Sequence, residues 1–252
     1  MENSVAGFDT GAGSVETWIP DGGFQLVRRK GKTPEGTILT TDWLVPAWAN
    51  AELTAARPCA EQPCLHRILA DCQQDGIVHF VNMYGLLTAA GKPARAGALP
   101  PEPVDIWRSE IRAMRNATAL WDAIAAQDSV ALSRVLPQHQ AAKGKELLRL
   151  AREHLARRVT EKLARGRMEL IAPGGGESSQ FVLNHRPARL SDALWQRFAE
   201  EISGAFACAR CPAPKCGRWF VRSGGRSDRR FCSHNCQMRA WRAGGRQALR
   251  DR

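Results

Sequence analysis

Five of the chain's eight cysteines crowd into residues 208–252, and their spacing constrains folding there more than any other feature of the sequence. Four of them form two local pairs about fifteen residues apart, Cys211-x4-Cys216 and Cys232-x3-Cys236. A segment this short and polar buries too little apolar surface to fold unaided, so it needs a staple. Paired cysteines supply four thiolates for a tetrahedral Zn2+ with bonds of roughly 2.3 Å. A fully cysteine-ligated ion has no open position for water, so one structural zinc per chain is expected. Cys208-x2-Cys211 is a second plausible half-site, in which Cys208 would replace Cys216. Gly217, placed to make a tight knuckle after Cys216, favours Cys211, Cys216, Cys232 and Cys236 as the ligands. Trp219-Phe220-Val221 and Arg229-Arg230-Phe231 flank a Ser-Gly-Gly turn and read as a short β-hairpin, and a helix is expected from Cys236. Knuckle, hairpin and helix together make a treble-clef-like zinc finger.

The same segment concentrates the charge. Residues 208–252 hold 12 Lys and Arg against 2 Asp and Glu, whereas residues 1–207 hold 24 against 23. Such asymmetry points to a polyanion-binding module on a near-neutral body. On a continuous helix at about 100° per residue, Arg239, Arg242, Arg246 and Arg250 fall within about 80°, with Trp241 opposite and free to pack on Trp219 or Phe220. Guanidinium groups pair bidentately with phosphates or reach guanine edges in a major groove. Arg229, Arg230, Arg239, Arg242 and Arg246 are therefore the candidate nucleic-acid contacts, with duplex DNA the expected partner. Gly244-Gly245 weakens the helix before Arg246. Arginines near four thiolates also have an alternative use as hydrogen-bond donors to the ligand sulfurs.

The pattern Cys211-x4-Cys216-Gly-x2-Phe220, a basic stretch, then Arg230-Phe231-Cys232-Ser233-x2-Cys236-x2-Arg239 resembles the CGNR-type zinc finger. In that family of bacterial proteins the finger stands at the C-terminus, often behind an N-terminal stress-response domain called ABATE. The resemblance, which covers about residues 205–245, implies a DNA-binding transcription regulator. The namesake tetrapeptide is here Cys236-Gln237-Met238-Arg239, so its first and last members are kept. In the body, only Phe80-Val-Asn-Met-Tyr-Gly-Leu-Leu87 and a helix over 107–124 echo the family.

The body, residues 1–205, reads as α+β with mostly helical mass and short β-hairpins; the finger takes 206–252. Residues 1–23 suggest a loose start, and 24–29 with 37–45 suggest a hairpin. A helix is expected over 61–74, an apolar element over 77–87, and a Pro- and Gly-rich linker over 91–103. Trp107, Ile111, Met114, Ala117, Trp121 and Ile124 recur at steps of three and four, which predicts an amphipathic helix from Val104. A second long helix is expected over 142–165, a hairpin over 167–172 and 180–185, and a helix capped by Ser191 that runs to Phe206.

Cys59, Cys64 and Cys72 read as buried core thiols, since Cys64, Ile68 and Cys72 share a helical face. Lys30-Gly-Lys32-Thr33 lacks the upstream glycine spacing of a phosphate loop, and no hydrolase or paired-carboxylate motif is present, so an enzyme is not expected. The longest apolar stretches fall short of the ~18 residues that cross a bilayer, and residues 1–9 lack the basic start and apolar run of a secretory signal. A cytoplasmic protein with reduced thiols is the resulting expectation, and homo-oligomerisation is compatible with it. Two rivals to the DNA reading use the same finger: an RNA-binding or ribosome-associated protein, and a module whose arginines meet an acidic protein.

Overall fold

The computed structural model describes residues 15–32, 37–136, 138, 142–165, 167–171, 182–222 and 229–250; for 31–32, 167–171, 182–186 and 244–250 it describes only the backbone. The strands are β1 (Thr17–Pro20), β2 (Phe24–Lys32), β3 (Ile38–Pro46), β4 (Leu53–Ala56), β5 (Glu102–Pro103), β6 (Arg167–Ile171), β7 (Val182–Arg186), β8 (Ala207–Arg210) and β9 (Trp219–Arg222). The helices are α1 (Pro58–Glu61), α2 (Leu65–Asp71), α3 (Ile77–Tyr84), α4 (Val104–Ala126), α5 (Ser129–Val135), α6 (Gly144–Leu163), α7 (Leu190–Ile202) and α8 (His234–Arg250). The fold is α+β, with every described strand pair antiparallel.

The expected β2–β3 and β6–β7 hairpins form, and β5 adds a short third strand beside β3. The start is more ordered than expected: β1 pairs with β4 in the register Thr17 opposite Ala56, a long-range pairing that local composition does not announce. The first 14 residues and the turn over 173–177 lie outside the described residues. The helix expected over 61–74 is shorter: α2 takes 65–71, and a separate short helix, α1, ends at Glu61. Pro63 separates them, because the residue before a proline is pushed out of the α region, and Gln62 sits at φ −130°, ψ 83°. Ser191 does not cap α7; the helix starts two residues earlier, with Arg189 in the cap position and no side-chain cap. It also ends at Ile202 rather than Phe206, where Gly204 at φ +86° turns the chain out.

The helix α4 is the axis of the body. Its apolar stripe, led by Trp107, Ile111 and Met114, packs inward with Leu65, Trp195 and Phe198, all nearly or fully buried. Burying side chains of this size contributes roughly 1.5–3 kcal/mol each. Two buried carboxylates pin the axis to its neighbours. Glu102 accepts from the backbone N–H of Leu87 (3.1 Å) and Thr88 (2.7 Å) and from Trp107 Nε1 (2.6 Å). Glu110 accepts from Trp195 Nε1 on α7 and from Lys162 Nζ on α6 at 2.6 Å.

Arg67 is the third such tie, and it has the opposite sign. Its side chain is 5% exposed, yet its guanidinium is paired on two sides. Nε and Nη2 donate to the two Glu201 oxygens on α7 at 3.0 and 2.7 Å, and Nη1 donates to both Asp122 oxygens on α4 at 2.9 Å. Burial works against the charge, but these hydrogen bonds outweigh it and hold the guanidinium above its ordinary pKa. The same balance keeps Glu201 below the usual carboxylate range: burial pushes it up, and the bonds from His66 and Arg67 more than offset that.

Arg67→Leu should leave Glu201 as a buried charge without its main partner and destabilise the fold by about 3–5 kcal/mol. Arg67→Leu with Glu201→Leu should recover much of that loss, because both charges are then gone. Urea denaturation of the two variants tests this, and a double variant as unstable as the sum of its singles would exclude the coupling.

Candidate metal centre

Leaving α7 at Gly204, the chain enters β8, reverses through residues 211–218 and returns as β9. Residues 229–231 were expected to pair with β9, but β8 takes that place, with Cys208 opposite Val221 and Ala209 opposite Phe220. The reason is the knuckle itself. Lys215 at φ +59° and Gly217 at φ +62° fold the chain back, so the flanking segments meet at short sequence separation. The Cys211 N–H donates to the Arg218 carbonyl (2.9 Å) and the Cys216 N–H to the Ala213 carbonyl (3.1 Å), which closes the turn.

The second cysteine pair is set by α8. The Ser233 hydroxyl accepts from the Cys236 N–H at 3.3 Å, as an N-cap does three residues ahead of its donor. This places Cys236 in the first helical turn and Cys232 just before it. The sulfurs of Cys216, Cys232 and Cys236 form a triangle with edges of 3.6, 3.5 and 3.6 Å. Cys211 Sγ completes the group, with all four within 4.8 Å of one another. These separations exceed the ~2.05 Å of a disulfide. They approach the ~3.8 Å edge of a tetrahedron built on metal–sulfur bonds of roughly 2.3 Å. The four-cysteine group can hold one metal ion.

The local electrostatics suit thiolates unevenly. The Arg218 backbone N–H is the largest influence that holds the Cys216 thiol down to about 6. The Ser233 hydroxyl leads in holding Cys236 below its ordinary value, while burial pushes Cys232 up to about 11. Arg218 Nη2 donates to Cys232 Sγ at 3.6 Å, a contact to the four-sulfur group that no pattern in the sequence marks. Around the sulfurs, Cys211, Ala213, Phe220 and Cys236 form a buried cluster separate from the body core.

Cys208 is not part of this group. It is disulfide-bonded to Cys64, across a sequence separation of 144 residues. The expectation that Cys64 is a free core thiol is therefore corrected, while Cys59 and Cys72 are free. The bond joins the start of α2 to β8. Beside it, Trp219 Nε1 donates to Asp71 Oδ2 at 2.8 Å, and the Arg67 guanidinium lies 5.4 Å from the Trp219 ring centroid.

The candidate nucleic-acid residues divide. Arg229 is committed to the finger: Nε and Nη2 donate to the Phe231 and Cys232 carbonyls, and the guanidinium covers Phe220. Arg239 Nη1 donates to the Pro214 carbonyl at 3.2 Å, bracing the knuckle from α8. Arg230 and Arg242 are exposed and have no ion pair among the described residues. The backbone of α8 continues through Gly244-Gly245 to Arg250, but the Arg246 side chain lies outside the described residues. Trp241 does not pack on Trp219 or Phe220 as expected; it is 73% exposed.

In protein purified without reductant, elemental analysis should find about one metal ion per chain, falling to near none in Cys216→Ser and Cys232→Ser. Cys208→Ser should leave that content unchanged. Chelation should unfold the finger and leave the cooperative melting of the body in place, since the two buried clusters are separate. Retention of metal in Cys216→Ser with its loss in Cys208→Ser would reverse the ligand assignment.

No family model, no curated protein and no solved structure matches the chain.

Proposed function

We propose that the chain is a nucleic-acid-binding protein whose C-terminal segment is a treble-clef-like finger around one structural zinc, and that it acts as a DNA-binding transcription regulator. Zinc is the natural ion for four thiolates in a closed tetrahedral group. The single observation that carries the nucleic-acid reading is the charge of that segment, 12 Lys and Arg against 2 Asp and Glu on a lobe of about 45 residues. Zinc with four thiolates carries a local charge of about −2, so most of this excess is left for a partner. The resemblance of the cysteine pattern to the CGNR-type finger supports the same reading.

The engaged arginines refine which residues would touch nucleic acid. Arg218, Arg229 and Arg239 hold the metal lobe together. The exposed Arg222, Arg230 and Arg242 are then the cations best placed for phosphates. One observation favours the RNA reading: Trp241, exposed beside Arg242, is a platform on which an unstacked base could lie. Duplex binding through phosphates has no need of that ring.

Binding to duplex DNA, structured RNA and polyglutamate, each over a salt series, tests the reading and separates its rivals. DNA affinity should fall steeply with salt, by a slope of roughly −0.9 per phosphate contact. Arg230→Ala with Arg242→Ala should weaken DNA binding and flatten the slope by about two units at unchanged metal content. Trp241→Ala should matter only if RNA is the partner. Wild-type affinity in the double arginine variant would remove this surface from the proposal.

A further inference from the structure

At the junction of body and finger lies a second convergence of ligand-type side chains. A His66 ring nitrogen, a Glu201 carboxylate oxygen and Cys208 Sγ lie within 4.8 Å of one another, and Cys64 is bonded to that same sulfur. The four residues come from α2 and the residue before it, from α7 and from β8, so only the tertiary fold assembles them. The site is largely enclosed: Cys64 and His66 are 0% exposed and Glu201 6%, while Cys208 is half-buried. Two sulfurs and an imidazole, with a carboxylate to hold the ring, make a donor set suited to a zinc-class ion.

The hydrogen bonds around His66 are those of a ligand held in place. Glu201 accepts from Arg67 through both oxygens, and its Oε2 also lies 2.5 Å from His66 Nε2. A carboxylate so engaged is an acceptor only, which puts the imidazole hydrogen on Nε2 and leaves the lone pair on Nδ1. Nδ1 is buried and has no hydrogen-bond partner. An orphaned buried ring nitrogen is costly and rare. A histidine whose other nitrogen donates to a carboxylate is the usual posture of a metal ligand.

We propose that reduction of the Cys64–Cys208 disulfide creates a second metal site, with Cys64 and Cys208 as thiolates, His66 as the imidazole ligand and Glu201 as the carboxylate that holds the ring. The conversion balances with a low-molecular-weight thiol as reductant. Two such thiols deliver two electrons to the disulfide and leave as their own disulfide, while the two protein thiolates bind one divalent cation and two protons are released. Oxidation runs the other way: the S–S bond re-forms and the ion departs. This site lies three residues from Cys211, so its redox state sets how β8 is tied to the body without changing the finger's four ligands.

The full chain, loaded with Zn2+ after treatment with excess dithiothreitol and desalted without oxygen, should hold about one more ion than the same chain loaded in its disulfide form. Loading with Co2+ should show two distinct visible spectra in the reduced chain and one in the oxidised chain, since the sites differ in thiolate number. Cys208→Ser and Cys64→Ala should lose the increment and keep the finger's ion, and Glu201→Gln should weaken the extra ion by about 10–100-fold. Equal metal content in reduced and oxidised wild type, which needs no variant, overturns the proposal. Survival of the increment in Cys208→Ser does so too. Failure of the finger assignment is separable: Cys232→Ser would then change nothing while the redox-dependent ion remained.

Discussion

A single buried guanidinium, that of Arg67, fixes how the elements of this protein sit against one another. It carries full charge in a site where burial opposes it, so it persists only because Glu201 and Asp122 meet it with four hydrogen bonds. Those partners stand on α7 and α4, and α2 supplies Arg67, so the three helices meet in a register that satisfies all three side chains. The face left over lies against Trp219 of the finger, a cation–π contact at 5.4 Å. The adjacent His66 is ordered by the same Glu201. One ionic network thus determines the helix packing, the seat of the finger and the cluster of donors at the junction.

The finger solves a different problem. Its own buried cluster is too small to stand alone, and its sulfurs converge at distances that bare thiols have little reason to adopt. A shared cation would remove both difficulties. Several arginines then act within the lobe rather than outside it: Arg218 on a sulfur, Arg229 on two carbonyls and a ring, Arg239 on the knuckle. Counting cations in the sequence therefore overstates the surface charge on offer to a partner. Position on the lobe decides which cations are free.

Much of the architecture was legible in local pattern. Steps of three and four between apolar residues announced α4 and α6, alternation and glycine-rich turns announced β2–β3 and β6–β7, and paired cysteines announced the four-cysteine group. Each signal works because the physical cause is short-ranged: a helix face repeats every 3.6 residues, and a local cysteine pair needs only a turn. What failed at this level failed for equally local reasons. Pro63 split a helix whose apolar face looked continuous, α5 was too short to show a period, and Ser191 resembled a cap at a position that the chain enters already helical.

By itself, then, the sequence determined the amphipathic helices, the location of the charge and the four sulfurs of the finger, because these depend on neighbours within about twenty residues. The tertiary structure alone decided that β1 pairs with β4, that Cys208 joins Cys64 and not the four-cysteine group, and that Arg67 meets Glu201 and Asp122. These outcomes rest on contacts between distant segments, up to 144 residues apart, whose energies compare whole packings rather than local conformations. No period or motif in the chain encodes that comparison.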